Sequence, residues 1–400
     1  MDGLETKSAV FENGFEVAGS NQVDMRVRNE RLVLTILRRQ GPLPKAEIAR
    51  KTGLSAQTVS VIMRALERDG LLTKGEKLRG KVGQPSVPMR LAPTGAYSLG
   101  LKVGRRSAEL VLINFVGEEL FHITKTYDYP LPDTTLDFVR TAVSEICQKI
   151  PKEERHRIAG LGIASPFFLW EWANVIGVDP DKMAAWREFD LRGEIAALFE
   201  FPVYLMNDAT SACSAELAFG SKTSPPDFLY IYIGYFVGGG VVLNGTVYAG
   251  RSGNAGAIGT FPILSQDREP VQLVNKASLI GLEKRFAALM IDTPTSAWSR
   301  DDVISKHPEI VDAWLGEAAP SLIQLIIGAC SIIDFPTVLI DGNMAASLRD
   351  LVVRKVAKTL IDTPLPGLVK PEVIGGTLGS RARPLGAASL PLAKKFMLEA

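Results

Sequence analysis

The chain has 400 residues, 46% hydrophobic and 22% charged, enough for two or three packed domains. Its net charge of +1 hides an asymmetry: residues 26–90 hold 15 Lys and Arg against 5 Asp and Glu, which leaves the rest of the chain at about −9. A basic block on an acidic body points to a polyanion partner for that block alone.

No run approaches the ~18 apolar residues of a membrane helix. No basic segment followed by an apolar core opens the chain, so neither a secretory signal nor a membrane partner is expected. Cys147, Cys213 and Cys330 are scattered, without a CxxC pair. This argues against a disulfide framework or a cysteine-rich metal site, and for a reducing cytoplasm.

Residues 1–24 are polar and weakly periodic, the pattern of a loose arm. From Arg26 to Gln40 the spacing of Leu32, Val33, Ile36 and Leu37 predicts a helix, which Gly41-Pro42 ends. A short helix over Lys45–Thr52 should bury Ala46, Ile48 and Ala49. After the tight turn Thr52-Gly53-Leu54, Ser55 is a good N-cap for a third helix, Ala56–Asp69. Val59, Ile62, Met63 and Leu66 fall at i, i+3, i+4 and i+7 and should face the core. Gln57, Val61, Arg64 and Arg68 fall on the opposite face, with Thr58 and Ser60 at its edges.

A short helix, a glycine turn and a second helix with this outer face form a helix-turn-helix pattern. Gln57 suits adenine, Val61 a thymine methyl, and Arg64 guanine or phosphate. Leu71-Leu72-Thr73 and Met89-Arg90-Leu91 then read as strands flanking a basic turn, the wing of a winged helix. Its Arg79, Lys81 and Gln84 sit on glycine-flanked backbone suited to phosphates or a minor groove. The expected DNA-contacting set is Ser55, Gln57, Thr58, Ser60, Val61, Arg64, Arg79, Lys81 and Gln84. A helical protein-docking module with a solvated basic face is the other reading of residues 26–90. The order helix, helix-turn-helix, basic hairpin favours DNA.

Pro93-Thr94-Gly95 marks a junction. Strand-like runs at 98–103, 108–114 and 119–127 read as an antiparallel meander. A helix over 136–150 leads to a strand at 158–164 and Ser165-Pro166. A helix over 191–199 leads to Val203–Met206 and the polar pair Asn207-Asp208. The second half repeats the scheme, with strands around 228–250, helical segments around 278–291 and 309–331, and a strand at 337–340. Two such halves are expected of a bilobal α/β protein with a cleft. Within Tyr230–Gly250, two apolar strands meet through glycines. Gly234, Gly238, Gly239 and Gly240 are expected to take positive φ or to admit a backbone or ligand closely. Such a hairpin cradles phosphate, shapes a sugar cleft, or is an ordinary tight turn; the stretch alone leaves this even.

With both halves in view, the chain resembles the ROK family of repressors and kinases, which includes the xylose and N-acetylglucosamine repressors. The resemblance covers roughly residues 26–390. It rests on Gly83-Gln84-Pro85, Gly162-Ile163-Ala164-Ser165-Pro166, Asn207-Asp208-Ala209, Gly238-Gly239-Gly240-Val241 and Gly253–Gly259, weak singly but specific together and in order. It implies an α/β fold: a two-lobed, ribonuclease H-like (actin-like) body behind an N-terminal winged helix-turn-helix. The implied division is a flexible arm 1–24, a winged head 25–92, a first lobe 93–210 that takes back a C-terminal helix 384–400, and a second lobe 211–383.

The departures from the family pattern shape the functional expectation. Family kinases hold Mg-ATP with an Asp-x-Gly-Gly-Thr turn, where this chain has Lys102-Val103-Gly104-Arg105-Arg106. Their second phosphate loop is glycine-rich, where this chain has Gly234-Tyr235-Phe236-Val237-Gly238. Lysine, arginines and two rings replace a carboxylate and small residues, so ATP binding is not expected. The arginines remain suited to some other anion.

The family's sugar site implies Asn207, Asp208, Gly239, Asn254, Ala257 and Thr260 as sugar-binding positions. Ala257 and Thr260 stand where the family has Glu and His, and a third carboxylate falls near Val274. Asp208 matches the family's catalytic base; without ATP it reads as a carboxylate that binds sugar hydroxyls, or as a structural partner of Asn207. The family's zinc cysteines are absent around Gln266–Gln272, so no structural zinc is expected. Trp186 is a candidate sugar-stacking face or a core residue.

The expected protein is therefore a cytoplasmic, sugar-responsive transcriptional regulator and not an enzyme. It uses no cofactor, and its partners are operator DNA, a small carbohydrate effector and further copies of itself as a homodimer or tetramer. The alternatives are an ATP-dependent sugar kinase with an added DNA-binding domain, or a ligand-independent regulator whose body serves only for assembly.

Overall fold

The computed structural model describes residues 22–76, 87–173, 178–221, 225–265, 268–289 and 297–398. The head consists of α1 (Gln22–Gln40), α2 (Lys45–Thr52), α3 (Ala56–Arg68), β1 (Leu72–Lys74) and β2 (Met89–Leu91). Gly53 ends α2 in the left-handed region at φ 70° and donates its N–H to Ala49 O, a turn that costs least at glycine. Ser55 then caps α3, its hydroxyl accepting from Thr58 N at 3.1 Å. Val59, Ile62, Met63 and Leu66 are all buried, as their spacing requires. Ala46 corrects the expectation for α2: it is exposed, because it lies about 200° around the helix from the buried Ile48. Strands β1 and β2 pair antiparallel as the base of a wing. The wing tip lies outside the described residues, and with it Arg79, Lys81, Gln84 and the Gly83-Gln84-Pro85 anchor; the arm before Gln22 does too.

The first lobe has β3 (Tyr97–Val103), β4 (Ser107–Asn114), β5 (Glu119–Thr126), α4 (Pro132–Lys149), β6 (Ile158–Ser165), α5 (Leu191–Ala196) and β7 (Val203–Asn207). Its strand order is β5-β4-β3-β6-β7. Helix α6 (Asp208–Phe219) follows without a break and runs across position 210/211, the boundary expected between the lobes.

The second lobe has β8 (Phe228–Ile233), β9 (Val237–Leu243), β10 (Thr246–Tyr248), the small hairpin β11 (Pro262–Leu264) and β12 (Pro270–Gln272), α7 (Leu279–Ala288), α8 (Pro308–Ile333), β13 (Thr337–Gly342), α9 (Ala346–Asp362) and β14 (Glu372–Gly375). Its main sheet runs β10-β9-β8-β13-β14. Each main sheet is an antiparallel meander followed by two parallel strands, so the repeat read in the sequence is a repeat of topology. The last helix, α10 (Ala382–Phe396), returns to the first lobe and packs on β3 and β6.

Helices α6 and α10 cross between the two sheets at van der Waals limits. A Cβ on Gly386 would lie 1.7 Å from Ser211 O, and one on Gly162 would lie 1.9 Å from Ala387 O. On the other side α6 sits on β9, where a Cβ on Gly240 would meet Cys213 Cβ at 2.4 Å. This bears out the close approach expected of the glycine stretch and corrects its backbone conformation. Gly234, Gly238, Gly239 and Gly240 do not take positive φ. Gly238–Gly240 lie within β9, and Gly238 and Gly240 are small so that a helix can lie on the strand. The left-handed turn of this stretch is Asn244-Gly245, with φ 53° and 69°, a two-residue hairpin loop between β9 and β10.

One further expectation needs correcting. Helix α8 is 26 residues long and apolar enough, by length and composition, to cross a membrane. Trp314, Leu322 and Ile326 on it are fully buried in the core of the second lobe, so tertiary packing accounts for part of its hydropathy.

The head is docked on the body through one continuous apolar core that joins Val33, Leu34 and Leu37 of α1 to Phe115, Leu392 and Met397. Arg38 Nη2 donates to Phe115 O at 2.5 Å and stacks near the Phe115 and Phe219 rings. Arg39 Nη2 donates to Gly245 O at 2.8 Å. Adjacent residues of α1 thus hold the first lobe and the second.

The helix crossing yields a direct prediction. Gly386→Ala should lower the unfolding free energy by about 3 kcal/mol or more, because its methyl must displace backbone. Urea denaturation of the full chain measures the loss; a change below about 0.5 kcal/mol would mean that the crossing tolerates a side chain.

Candidate functional site

The outer face of α3 presents Gln57, Val61, Arg64 and Arg68 to solvent. Val61 is 50% exposed, an apolar group with no core to serve. Gln57 has no side-chain partner among the described residues, whereas Arg68 is paired with Asp69 at 3.2 Å. Among the described residues, Arg64 Nε is tied only to Ser60 O, at 3.2 Å. The hydroxyls of Ser55 and Thr58 are 2.8 Å apart, bonded within the cap, so these two fix the start of the helix while Gln57, Val61 and Arg64 remain available.

The second candidate site is a cleft between the lobes with a cavity volume of about 140 Å³, small beside the ~300–1,000 Å³ usual for drug-sized ligands. Asn207, Asp208, Asn254, Ala257 and Thr260 all line it. Gly239 does not: it is buried, its Cα facing Tyr230 O and Ile258. Asn207 caps α6, its Oδ1 accepting from Ala209 N at 3.0 Å, and this places Asp208 in the first turn, where the helix dipole favours a carboxylate. Thr260 Oγ1 donates to Ala257 O at 2.8 Å. The side chain of Asn254 is unbonded among the described residues and half-buried. Val274, where a third carboxylate would stand, also lines the cleft.

Sequence reasoning missed the cation that faces Asp208. Arg383, in the first turn of α10, donates Nη1 to Asp208 Oδ2 at 3.2 Å. The pair is almost buried, with side-chain exposures of 10% and 15%. Ser211 Oγ donates to Arg383 O at 2.8 Å, so the helix crossing itself sets the pair's geometry. Burial alone would lower the Arg383 pKa; Tyr232, Asp208 and Glu109 outweigh it and raise it. Residues so distant in sequence carry no local signal. Phe167, Phe168 and Glu171 of the first lobe were missed too and line the cleft mouth. Phe168 sits in the left-handed region at φ 56°, a strained conformation for an aromatic residue.

The two turns expected to meet phosphate close on one another. Arg105 stacks over the Phe236 ring at 4.0 Å and Arg106 over Tyr235 at 5.8 Å. Beneath them Lys102, 5% exposed, bonds Glu109 at 2.6 Å and Ser107 at 2.7 Å. Burial and nearby Arg383 push its pKa down to about 8 against the pull of Glu109.

Trp186 is core rather than a stacking platform for this cleft. It is 5% exposed and donates its indole N–H to Pro130 O at 2.9 Å. At the family's zinc position the chain folds into the β11–β12 hairpin. The described residues there supply no Cys or His and do not fit a zinc site.

Residues 98–271 match the ROK family profile, and residues 27–73 match winged helix-turn-helix DNA-binding domains. The chain is 21% identical over 357 residues to the xylose repressor of Caldicellulosiruptor bescii, covering 85% of this chain and 89% of that protein. It is 24% identical over 245 residues to the DNA-binding transcriptional dual regulator NagC of Escherichia coli, covering 59% and 57% respectively. The crystal structure of a ROK family transcriptional regulator, a homolog of the E. coli MLC protein, superposes with a TM-score of 0.67 at 19% identity. That match covers 94% of this chain and 98% of the other, and it extends the likeness of fold to head and body together.

Buried Lys102 gives a pH signature. Its folded pKa of about 8 lies below the ordinary 10.5, so between these values the folded chain gives up a proton that the unfolded chain keeps. This group therefore makes folding more favourable as pH rises through that window. Relative to a Lys102→Met, Glu109→Gln double variant, the wild type should gain about 2 kcal/mol from pH 8 to pH 10. Denaturant titrations at both pH values decide it; parallel slopes would show that Lys102 titrates normally.

Proposed function

The chain joins a ROK-family body to a winged helix-turn-helix head, and on that premise we propose that it is a sugar-responsive transcriptional repressor without kinase activity. The observation that carries this reading is the combination of an unpaired reading face on α3 with a polar cleft whose phosphate side is closed by Arg105–Phe236 and Arg106–Tyr235. The xylose repressor and NagC, similar along most or much of the chain, are regulators by name. Their names indicate a carbohydrate effector without fixing which one.

In this reading Gln57, Val61 and Arg64 read base edges in a major groove, and Ser55, Thr58 and Ser60 hold the helix start against the backbone. Arg79, Lys81 and Gln84 belong to a wing that tracks phosphates. Asn207, Asp208, Asn254 and Thr260 bind sugar hydroxyls, with Ala257 leaving room where the family has a larger side chain. The protein works in the cytoplasm as a homodimer, since two heads on one body pair match the half-sites of an operator. The dividing lines are a head to residue 92, a first lobe of 93–210 with the C-terminal helix, and a second lobe of 211–383.

Coupling follows from α1. Arg38 grips the first lobe and Arg39 the second, so a ligand that favours a different lobe separation must move α1 or break one bond. The effector then changes DNA affinity by as much as its affinities for the two states differ.

Selection from a random duplex library, followed by fluorescence anisotropy on the selected sequence, tests the reading. Arg64→Ala should cost about 1–3 kcal/mol in DNA affinity and leave the melting temperature unchanged. Failure to enrich any sequence would overturn the DNA-binding half. Arg39→Ala should keep both DNA and sugar binding but weaken the effect of sugar on DNA affinity. An undiminished effect would show that coupling runs elsewhere.

A further inference from the structure

Arg105 and Arg383 share one carboxylate: Asp208 pairs directly with Arg383 and acts on Arg105 only through its field, so the cleft carries one positive charge in excess among the described residues. Lys102 has Glu109, and Arg383 has Asp208. Arg105 lines the cavity, yet its guanidinium makes no hydrogen bond or ion pair among the described residues, and its Nε is buried without a partner. Its recorded contact is the face of Phe236. Arg383 Nε, close behind Asp208, is likewise buried and unbonded.

An arginine cannot escape this position by losing its proton, and a half-buried guanidinium that only shares a counter-ion is stabilised by a second anion. A ring stacked on one face of a guanidinium leaves its in-plane N–H groups free, and that planar fork matches carboxylate or phosphate oxygens. We infer that the effector is an anionic carbohydrate, a sugar phosphate or sugar acid, whose charged group binds Arg105.

The inference rests on the proposed sensor function and deepens it. Asp208 does not oppose an anion here, because Arg383 neutralises it at 3.2 Å. Glu171, the other carboxylate on the lining, is exposed at the rim, where water and salt screen it. Asp208 Oδ1, Asn254 and Thr260 supply the hydroxyl-binding groups that a bare anion would not use, which points to a sugar carrying the charge. The closed turns explain why one phosphate or carboxylate, rather than a nucleotide triphosphate, suits the space beside Arg105.

The experiment is calorimetric titration of the full chain with neutral monosaccharides, the corresponding sugar phosphates and sugar acids, and inorganic phosphate alone. At least one sugar phosphate or sugar acid should bind roughly tenfold or more tightly than its neutral parent, and high salt should shrink that advantage. Arg105→Gln should remove the advantage and Arg105→Lys should keep part of it. Arg105→Gln also gives up the stack on Phe236 and should melt slightly lower, so retained binding of the neutral parent sugar by each variant is what separates a lost anion contact from lost folding. Comparing the phosphate and acid series identifies the anion. Neutral sugars binding as tightly as their anionic forms would overturn the inference and leave the sugar sensor standing. Inorganic phosphate binding as tightly as any sugar phosphate would also overturn it, as a plain anion site. Silence from every carbohydrate would remove the sensor reading itself.

Discussion

The structure depends on one steric constraint: two helices, α6 and α10, must cross at backbone contact while lying between two sheets. Glycines at 386, 162 and 240 make this possible. The same crossing brings the first turns of both helices together behind the cleft, so Asp208 and Arg383 meet there. A looser crossing would separate these groups and leave each with an unanswered charge, a larger loss than the packing alone. Fold and site therefore share one set of contacts.

The same economy links cleft and head. α1 belongs by sequence to the DNA-reading head, yet its last turn bonds carbonyls in both lobes. The Gly245 carbonyl it reaches sits in a two-residue turn between β9 and β10, and β9 is the strand on which α6 rests. In the proposed reading, a shift of the second lobe against the first strains one of these two bonds and so reaches α1.

Local chemistry made much of the fold legible. The i, i+3, i+4, i+7 spacing in α3, the cap at Ser55, the meander and the paired halves are short-range patterns, and the structure reproduces them. The cleft was legible through Asn207-Asp208 and the 253–260 loop. What escaped depends on long-range packing. Arg383 has no motif of its own and becomes visible only when α10 returns to the first lobe. The close approach expected of Gly238 and Gly240 is present and the positive φ is not, because a glycine needed for one looks, in sequence, like one needed for the other. Gly239 was assigned to the site through the family resemblance, but the strand turns it toward the core. The apolar length of α8 likewise needed the surrounding lobe to explain it.

In the proposed reading, the stacks of Arg105 on Phe236 and Arg106 on Tyr235 stand where Mg-ATP would need open turns, and the cleft senses a ligand without phosphoryl transfer. The most direct measurement is a titration of the full chain with Mg-ATP, alone and with a bound carbohydrate, followed by assay for a phosphorylated product and repeated with Asp208→Asn. The account predicts heat from the carbohydrate that the substitution diminishes, no heat from Mg-ATP in either case, and no product. Saturable binding of Mg-ATP, with phosphorylation lost in Asp208→Asn, would contradict it and restore the cleft to a working kinase.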